Sequence, residues 1–228
     1  MIAPGLPANE PDRLRSLAEH NLLDTLPEEV YDDITRLAAE ICGTPIAAIN
    51  LIAGDRLWPK SAVGFERVSS PREESFCAHA ILNPDETMVV SDARYDERFF
   101  DNPNIATPNG IVFYAGVPVQ DAQGRALGSL CVADIRAREI PEHKMESLQA
   151  LAELVNTHFQ LRRTNMLLTA TQDQVKQAQP ILHRMVSAVG SLPTENEIAS
   201  TTQLKSLQEA IKELQLVLEH PACLDKAD

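Results

Sequence analysis

The stretch that most constrains this chain is residues 111–134, IVFYAGVPVQDAQGRALGSLCVAD, in which two apolar runs flank the polar turn Asp121-Ala122-Gln123-Gly124. Runs of this length around a glycine-closed turn predict an antiparallel hairpin, with a type I turn and Gly124 in the left-handed region. We expect it at the centre of a sheet. The first strand, Ile111 to Val119, is apolar almost throughout, so both of its faces should be covered. The second, Ala126 to Asp134, carries Gly128 and Ser129, small residues that mark a close approach by another part of the chain. Neither strand holds a catalytic pattern, so the hairpin reads as a buried wall.

Elements of both kinds precede the hairpin. Residues 1–8 contain Pro4, Gly5 and Pro7 without periodicity and read as a disordered tail. A short helix is expected from Asn9 to about Leu23, with Leu14, Leu17 and Ala18 on one side. A better marked helix follows Pro27. Acidic Glu28 and Glu29 suit its positive end, Tyr31, Ile34, Leu37, Ala38 and Ile41 form its apolar stripe, and Gly43 stops it. Pro45 to Ile52 is too short for a helix and reads as a strand, turned at Gly54 and Asp55 into a more polar strand over Leu57 to Val63. Residues 64–75 read as loop, Ser75 caps a short helix over Phe76 to Leu82, and Thr87 to Ser91 is a further strand. The irregular stretch from Asp92 to Gly110 keeps Tyr95, Phe99 and Phe100, so it is expected to pack as a lid.

After the hairpin, Pro141 opens a long helix with Met145, Leu148, Ala152, Val155 and Phe159 on one stripe. A second stripe, Leu154, Leu161, Leu168, Val175, Leu182 and Val189, recurs every seven residues. Its companions His158, Asn165, Gln172 and Gln179 are polar, so a coiled coil here is either weak or buries polar groups that fix its register. Pro180 is expected to kink or break this helix. Residues 190–196 form a turn, and a final helix carries Leu204, Leu207, Ile211, Leu214 and Leu218 as an amphipathic seam. That seam needs the preceding helix or a second subunit to cover it.

The matching words SFCAHAIL (75–82), VVSDARYDERFFDNP (89–103), FYAGVPV (113–119) and GRALGSLCVAD (124–134) resemble the GAF domain family, in the version found in bacterial sensor kinases and cyclases. The resemblance covers roughly residues 9–163, leaving 164–228 as a C-terminal helical hairpin or dimerisation extension. It implies an α+β fold, an antiparallel β-sheet flanked by helices, with a pocket roofed by the short helix and the irregular segment. It also implies a sensory or regulatory module. Many relatives bind a small molecule in the pocket, some bind none, and many form dimers through the flanking helices.

Candidate pocket residues are Cys77, His79, Asp92, Phe99 and Phe113. Cys77 and His79 lie two apart on a helix and point about 200° apart, so one of them faces the pocket. The plainer reading makes Cys77 a small core residue and His79 a hydrogen-bonding group of the lid. Asp92 either receives a ligand amine or hydroxyl or caps the lid backbone. Phe99, Phe100, Phe113 and Tyr114 either stack on a ligand or fill the core. Bilin-binding relatives carry a Cys-His dipeptide, which this chain lacks, and the cyclic-nucleotide pattern is not traceable over 83–134. Free methionine sulfoxide reductases share the fold, but residues 92–110 contain no cysteine to serve as their nucleophile. His183, in ILHRM, resembles the phosphoacceptor of a histidine kinase, yet Arg184 stands where an acidic residue is needed.

Lys and Arg total 20 against 33 Asp and Glu, a net charge of −13 that disfavours nucleic acid and anionic membranes as partners. No apolar run reaches membrane-spanning length and the N-terminus lacks signal-peptide character, so a cytoplasmic location is expected. The four cysteines, Cys42, Cys77, Cys131 and Cys223, have no metal spacing and are expected as free buried thiols. The expectation is a non-catalytic sensory protein that binds an unidentified small molecule, with no cofactor named, and signals through a homodimer or a signalling partner. The alternatives are a structural dimerisation or adaptor module with a vestigial pocket, and a redox enzyme of the sulfoxide reductase kind.

Overall fold

The computed structural model describes residues 1–107, 110–190 and 201–219; of the turn expected over 190–196, Gly190 is helical and the rest, like Cys223, lies outside them. The chain divides into two compact units, Met1–Arg163 and Thr164–Asp228. The first is built on a six-stranded antiparallel sheet in the order β3-β2-β1-β6-β5-β4. The strands are β1 (Ile46–Ile52), β2 (Arg56–Val63), β3 (Ser70–Pro71), β4 (Met88–Val90), β5 (Phe113–Gln120) and β6 (Ala126–Asp134). The central pair is β1 with β6, so the hairpin supplies one central strand and its neighbour rather than the whole centre.

The hairpin turn is built as the sequence dictates. Gly124 has φ +76°, its N–H donates to the Asp121 carbonyl at 3.0 Å, and the Asp121 carboxylate accepts from the Gln123 and Arg125 N–H groups at 2.8 and 3.0 Å. That turn fixes the register, with Gly116 opposite Cys131 and Pro118 opposite Ser129. A Cβ on Gly128 would run into the backbone carbonyl of Asn50 on β1, which is the close approach the glycine signals.

One sheet face is covered by α1 (Glu10–Glu19), α2 (Glu29–Cys42) and the start of α4 (Glu142–Gly190). The stripe Leu148, Ala152, Val155 and Phe159 is buried there with Leu17, Leu22, Tyr31, Ile34, Phe113, Leu130 and Val132. Two helix faces are rotated from expectation. On α1, Arg13, Ser16 and Leu17 are buried while Ala18 is exposed, and the helix ends at Glu19, before Asn21 and Asp24 take positive φ. On α2, Thr35, Ala39 and Cys42 point inward while Leu37 and Ile41 are exposed. A stripe counted by apolarity alone misses polar side chains that have buried partners.

Those partners are specific. Arg13 and Arg72 both donate to the Glu10 carboxylate, Arg13 through Nε at 2.6 Å. Lys60, its side chain fully buried, donates to Thr25 Oγ1 at 2.6 Å, the Leu26 carbonyl at 3.0 Å and Glu28 Oε1 at 2.5 Å. Arg162 on α4 closes on the same Glu28 with two bonds of 2.7 and 2.8 Å.

The reading of residues 1–8 as a disordered tail is corrected at its start. The Ile2 N–H donates to the Arg98 carbonyl at 3.0 Å, and the Met1 ammonium pairs with Asp101. A backbone bond and a terminal ion pair need no side-chain periodicity, which is why composition misses them.

α4 runs unbroken through Pro180, so the expected break does not occur. Pro180 removes the N–H that would donate to the Lys176 carbonyl and crowds that carbonyl, and the helix continues on both sides of it. In the second unit, α5 (Thr201–Glu219) carries Glu213, which accepts from Arg184 of α4 at 2.5 Å. Leu204, Ile211 and Leu218 of its seam are exposed. Among the described residues no helix is long and apolar enough to cross a membrane.

Candidate functional site

The face of the sheet opposite the helices is roofed by residues 72–107. Ser75 Oγ accepts from the Ala78 N–H at 3.1 Å and so starts α3 (Phe76–Ala80). The short helix presses Phe76, Cys77, Ala78 and Ile81 onto Ala48, Ile52, Tyr114 and Cys131 of the sheet. The irregular segment supplies Ala93 and Phe99 to the same cluster, as a lid would. It is held by Asn102, whose Nδ2 donates to the Glu74 carbonyl at 2.9 Å and whose Oδ1 accepts from the Asn104 N–H at 2.8 Å.

The compartment is filled by aromatic rings. Phe76 stacks on Phe99 at 4.1 Å between centroids and on Tyr114 at 5.2 Å. The Tyr114 phenol occupies the space that a Cβ on Gly116 would take.

Beneath the rings lies a polar and thiol centre. Cys77 Sγ accepts from Asn50 Nδ2 at 3.3 Å and from the Tyr114 hydroxyl at 3.4 Å. It stands 3.9 Å from Cys131 Sγ, which Asn50 Nδ2 also approaches at 3.6 Å. Ser129 Oγ lies 3.2 Å from the Tyr114 hydroxyl. Asn50 Oδ1 is buried and has no hydrogen-bond partner.

Donors converging on one sulfur favour its thiolate. The Cys131 S–H, then Ser129, Tyr114 and Asn50, draw the Cys77 thiol down to about 6 against the opposing effect of burial. The same bond, seen from the other end, together with burial, pushes Cys131 well above its ordinary value.

The five candidates from sequence fall in different places. Cys77 and Phe99 lie inside the compartment. His79 sits on the outer side of α3, its Nε2 3.1 Å from the Ile2 carbonyl and its ring edge-on to Phe99 at 4.8 Å. Asp92 lies at the start of a single helical turn. Its Oδ1 accepts from the Arg94 N–H at 3.1 Å, and the carboxylate takes two further bonds from the Arg94 guanidinium at 2.8 and 2.6 Å. Phe113 is corrected out of the pocket: strand alternation turns it to the helical face, while Tyr114 faces the lid. Phe100 is exposed.

Sequence reasoning missed Asn50, Ser129 and Cys131 as a group. The hairpin register set by Gly124 places Tyr114, Gly116, Ser129 and Cys131 on one face, and β1 pairs Asn50 with Ser129. Period-two bookkeeping from the turn would have found them.

Elsewhere, an open groove of about 570 Å³ lies at the C-terminal end of α2, lined by Gly43, Thr44, Asp134, Arg136 and Arg138. Arg138 there already donates to the Gly43 carbonyl at 2.6 Å and pairs with Asp134 at 3.0 Å. Cys42, Cys77 and Cys131 are free and buried. Among the described residues no three His, Cys, Asp or Glu side chains gather closely enough to hold a metal. His183 is exposed on α4.

A sheet with terminal helices on one face and a roofed compartment on the other defines the class of protein. The GAF domain pattern matches residues 26–159, and the chain belongs to the GAF domain family, whose members are typically sensory modules in signalling proteins. It is similar to a cyclic di-GMP phosphodiesterase of Pseudomonas aeruginosa, 37% identical over 169 residues, which are 73% of this chain and 29% of that protein. The chain therefore spans less than a third of the curated relative's length. Among solved structures, the photosensory core module of a Stigmatella aurantiaca phytochrome aligns with a TM-score of 0.54 at 11% identity, covering 89% of this chain and 45% of that one. The GAF domain of an Acinetobacter phosphoenolpyruvate-protein phosphotransferase aligns at 0.49 and 18% identity, covering 68% and 94%.

Proposed function

We propose that the chain is a non-catalytic sensory module that takes a small molecule beneath its lid and passes the bound state along α4 to a second copy of itself. The observation that carries this reading is the buried polar centre beneath the lid, with Asn50 Oδ1 lacking a partner. A buried acceptor left unpaired costs free energy that a ligand N–H or O–H donor would recover. The ligand class that fits is a flat, weakly polar molecule with such a donor, its ring replacing Phe99 against Phe76. Likeness to a cyclic di-GMP phosphodiesterase supports a setting in cyclic-dinucleotide signalling, with this chain as the sensory part.

Transmission rests on the seven-residue stripe. Leu154, Leu161, Leu168, Val175, Leu182 and Val189 are each 42–54% exposed, so among the described residues nothing fully covers the stripe. A seam of that period is self-complementary across two helices, and a second copy covers it. The same stripe supports the runner-up, a dimerisation adaptor whose filled compartment binds nothing.

A thermal-shift screen of nucleobases, amino acids and organic acids against the full chain tests the reading. The expected result is a midpoint that rises with ligand concentration and no longer does so in Asn50→Leu. A midpoint unmoved by every compound leaves the adaptor. Sulfoxide reduction that is lost in Cys77→Ser would overturn the non-catalytic assignment.

A further inference from the structure

We infer that Cys77 and Cys131 are a reversible redox pair, oxidised to a disulfide by a small hydroperoxide, so that the lid helix becomes bonded to the central strand. The two sulfurs are 3.9 Å apart, and one stands in the roof and the other in the wall. Closing to a bond of about 2.05 Å moves them less than 2 Å. The partners are 54 positions apart in sequence, so the contact is made by the fold and not by local chain geometry. Asn50 Nδ2 and the Tyr114 hydroxyl both donate to Cys77 Sγ, the arrangement that readies a thiolate for attack. Cys42 lies in the core on the helical side of the sheet, where burial pushes its thiol up.

The chemistry balances with a hydroperoxide as oxidant. The Cys77 thiolate attacks one peroxide oxygen, an S–O bond forms as the O–O bond breaks, and the departing alkoxide takes up a proton as an alcohol, or as water when the oxidant is hydrogen peroxide. Cys131 then attacks the Cys77 sulfenic sulfur. The S–S bond forms, the S–O bond breaks, and the leaving hydroxide accepts the Cys131 proton as water. Two thiols are oxidised by two electrons and one peroxide is reduced. A dithiol reverses the bond by exchange. The sulfurs are only 3% and 4% exposed as residues, so the oxidant must be small enough to pass the lid.

This inference stands apart from ligand uptake. The probe is hydrogen peroxide acting on the full, folded chain, followed by alkylation under denaturing conditions and non-reducing peptide mapping. The expected result is a loss of two mass units, a single cross-linked peptide joining Cys77 to Cys131, and recovery of both thiols with dithiothreitol. In Cys131→Ser, Cys77 is expected to accumulate as a sulfenic acid trapped by dimedone. The wild-type map decides the matter without any variant: Cys77 and Cys131 both remaining alkylatable, Cys77 passing directly to sulfinic acid, or a cross-link to any other cysteine would overturn the pairing. The thermal-shift screen reads ligand binding independently, so either idea can fail alone.

Discussion

The Tyr114 phenol lies across Gly116, two positions along the same strand, in the space that a methyl group would fill. Gly116→Ala is therefore expected to lower unfolding free energy by about 1–3 kcal/mol, because the ring must swing toward Phe76 or the strand must shift. Gly128→Ala meets the Asn50 backbone carbonyl instead of a side chain, so it has less freedom to relax and should cost more. Urea unfolding of the two variants checks the order. Equal midpoints would show that the Tyr114 ring is held as rigidly as the backbone.

Glu28 is the shared partner of two cations, Lys60 and Arg162. Glu28→Gln leaves the buried Lys60 ammonium with neutral partners and is expected to cost about 2–4 kcal/mol. Lys60→Met removes the charge and keeps the stem packed near Tyr31 and Trp58, so its cost should be about 1 kcal/mol. Denaturant curves that rank the two the other way would refute this account.

Burial holds the His20 and His79 imidazoles below the ordinary value of 6.5. The unfolded chain then binds more protons than the folded one below that value, so stability is fully present above pH 6.5 and falls as pH falls. The window is separate from that of Glu10, Asp96 and Asp121, which are held below their ordinary 3.8–4.5 and lose stability only in stronger acid. A thermal midpoint that drops between about pH 6.5 and 5, with the drop flattened in His20→Gln/His79→Gln, is the expected profile. An unchanged slope in the double variant would assign it elsewhere.

The exposed stripe on α4 predicts association. Leu168→Glu with Val175→Glu puts two charges on the seam and should convert a dimer to a monomer by light scattering, with the midpoint of the sheet-bearing unit unmoved. A wild-type monomer at micromolar concentration would remove the dimer from the signalling scheme.

The fold was largely legible because its strongest signals are local. Gly124 closes the turn, Gly43 ends α2 at φ +67°, and Ser75 starts α3, each requiring no knowledge of distant residues. The site was legible only in part. Cys77 and Phe99 stood out by chemistry and position, but the partners of Cys77 come from β1, β5 and β6, up to 54 positions away. Phe113 was misplaced by one residue of strand phase, since aromaticity does not say which face a side chain takes. The helix faces were misjudged because Arg13, Ser16 and Thr35 are buried against partners far away or on the preceding turn.

α1 lies ahead of residue 26, where the family pattern begins. Yet Ser16 donates to Asp121 in the hairpin turn, Glu10 takes the charge of Arg72 at the base of the lid, and Thr25 accepts from Lys60. A fragment trimmed to the family boundaries would thus leave a turn carboxylate, a lid guanidinium and a core ammonium each short of a partner. Domain shuffling that respected only the common pattern would hand on a weakened domain. The inheritable unit of this protein reaches ahead of the common pattern and includes its first helix.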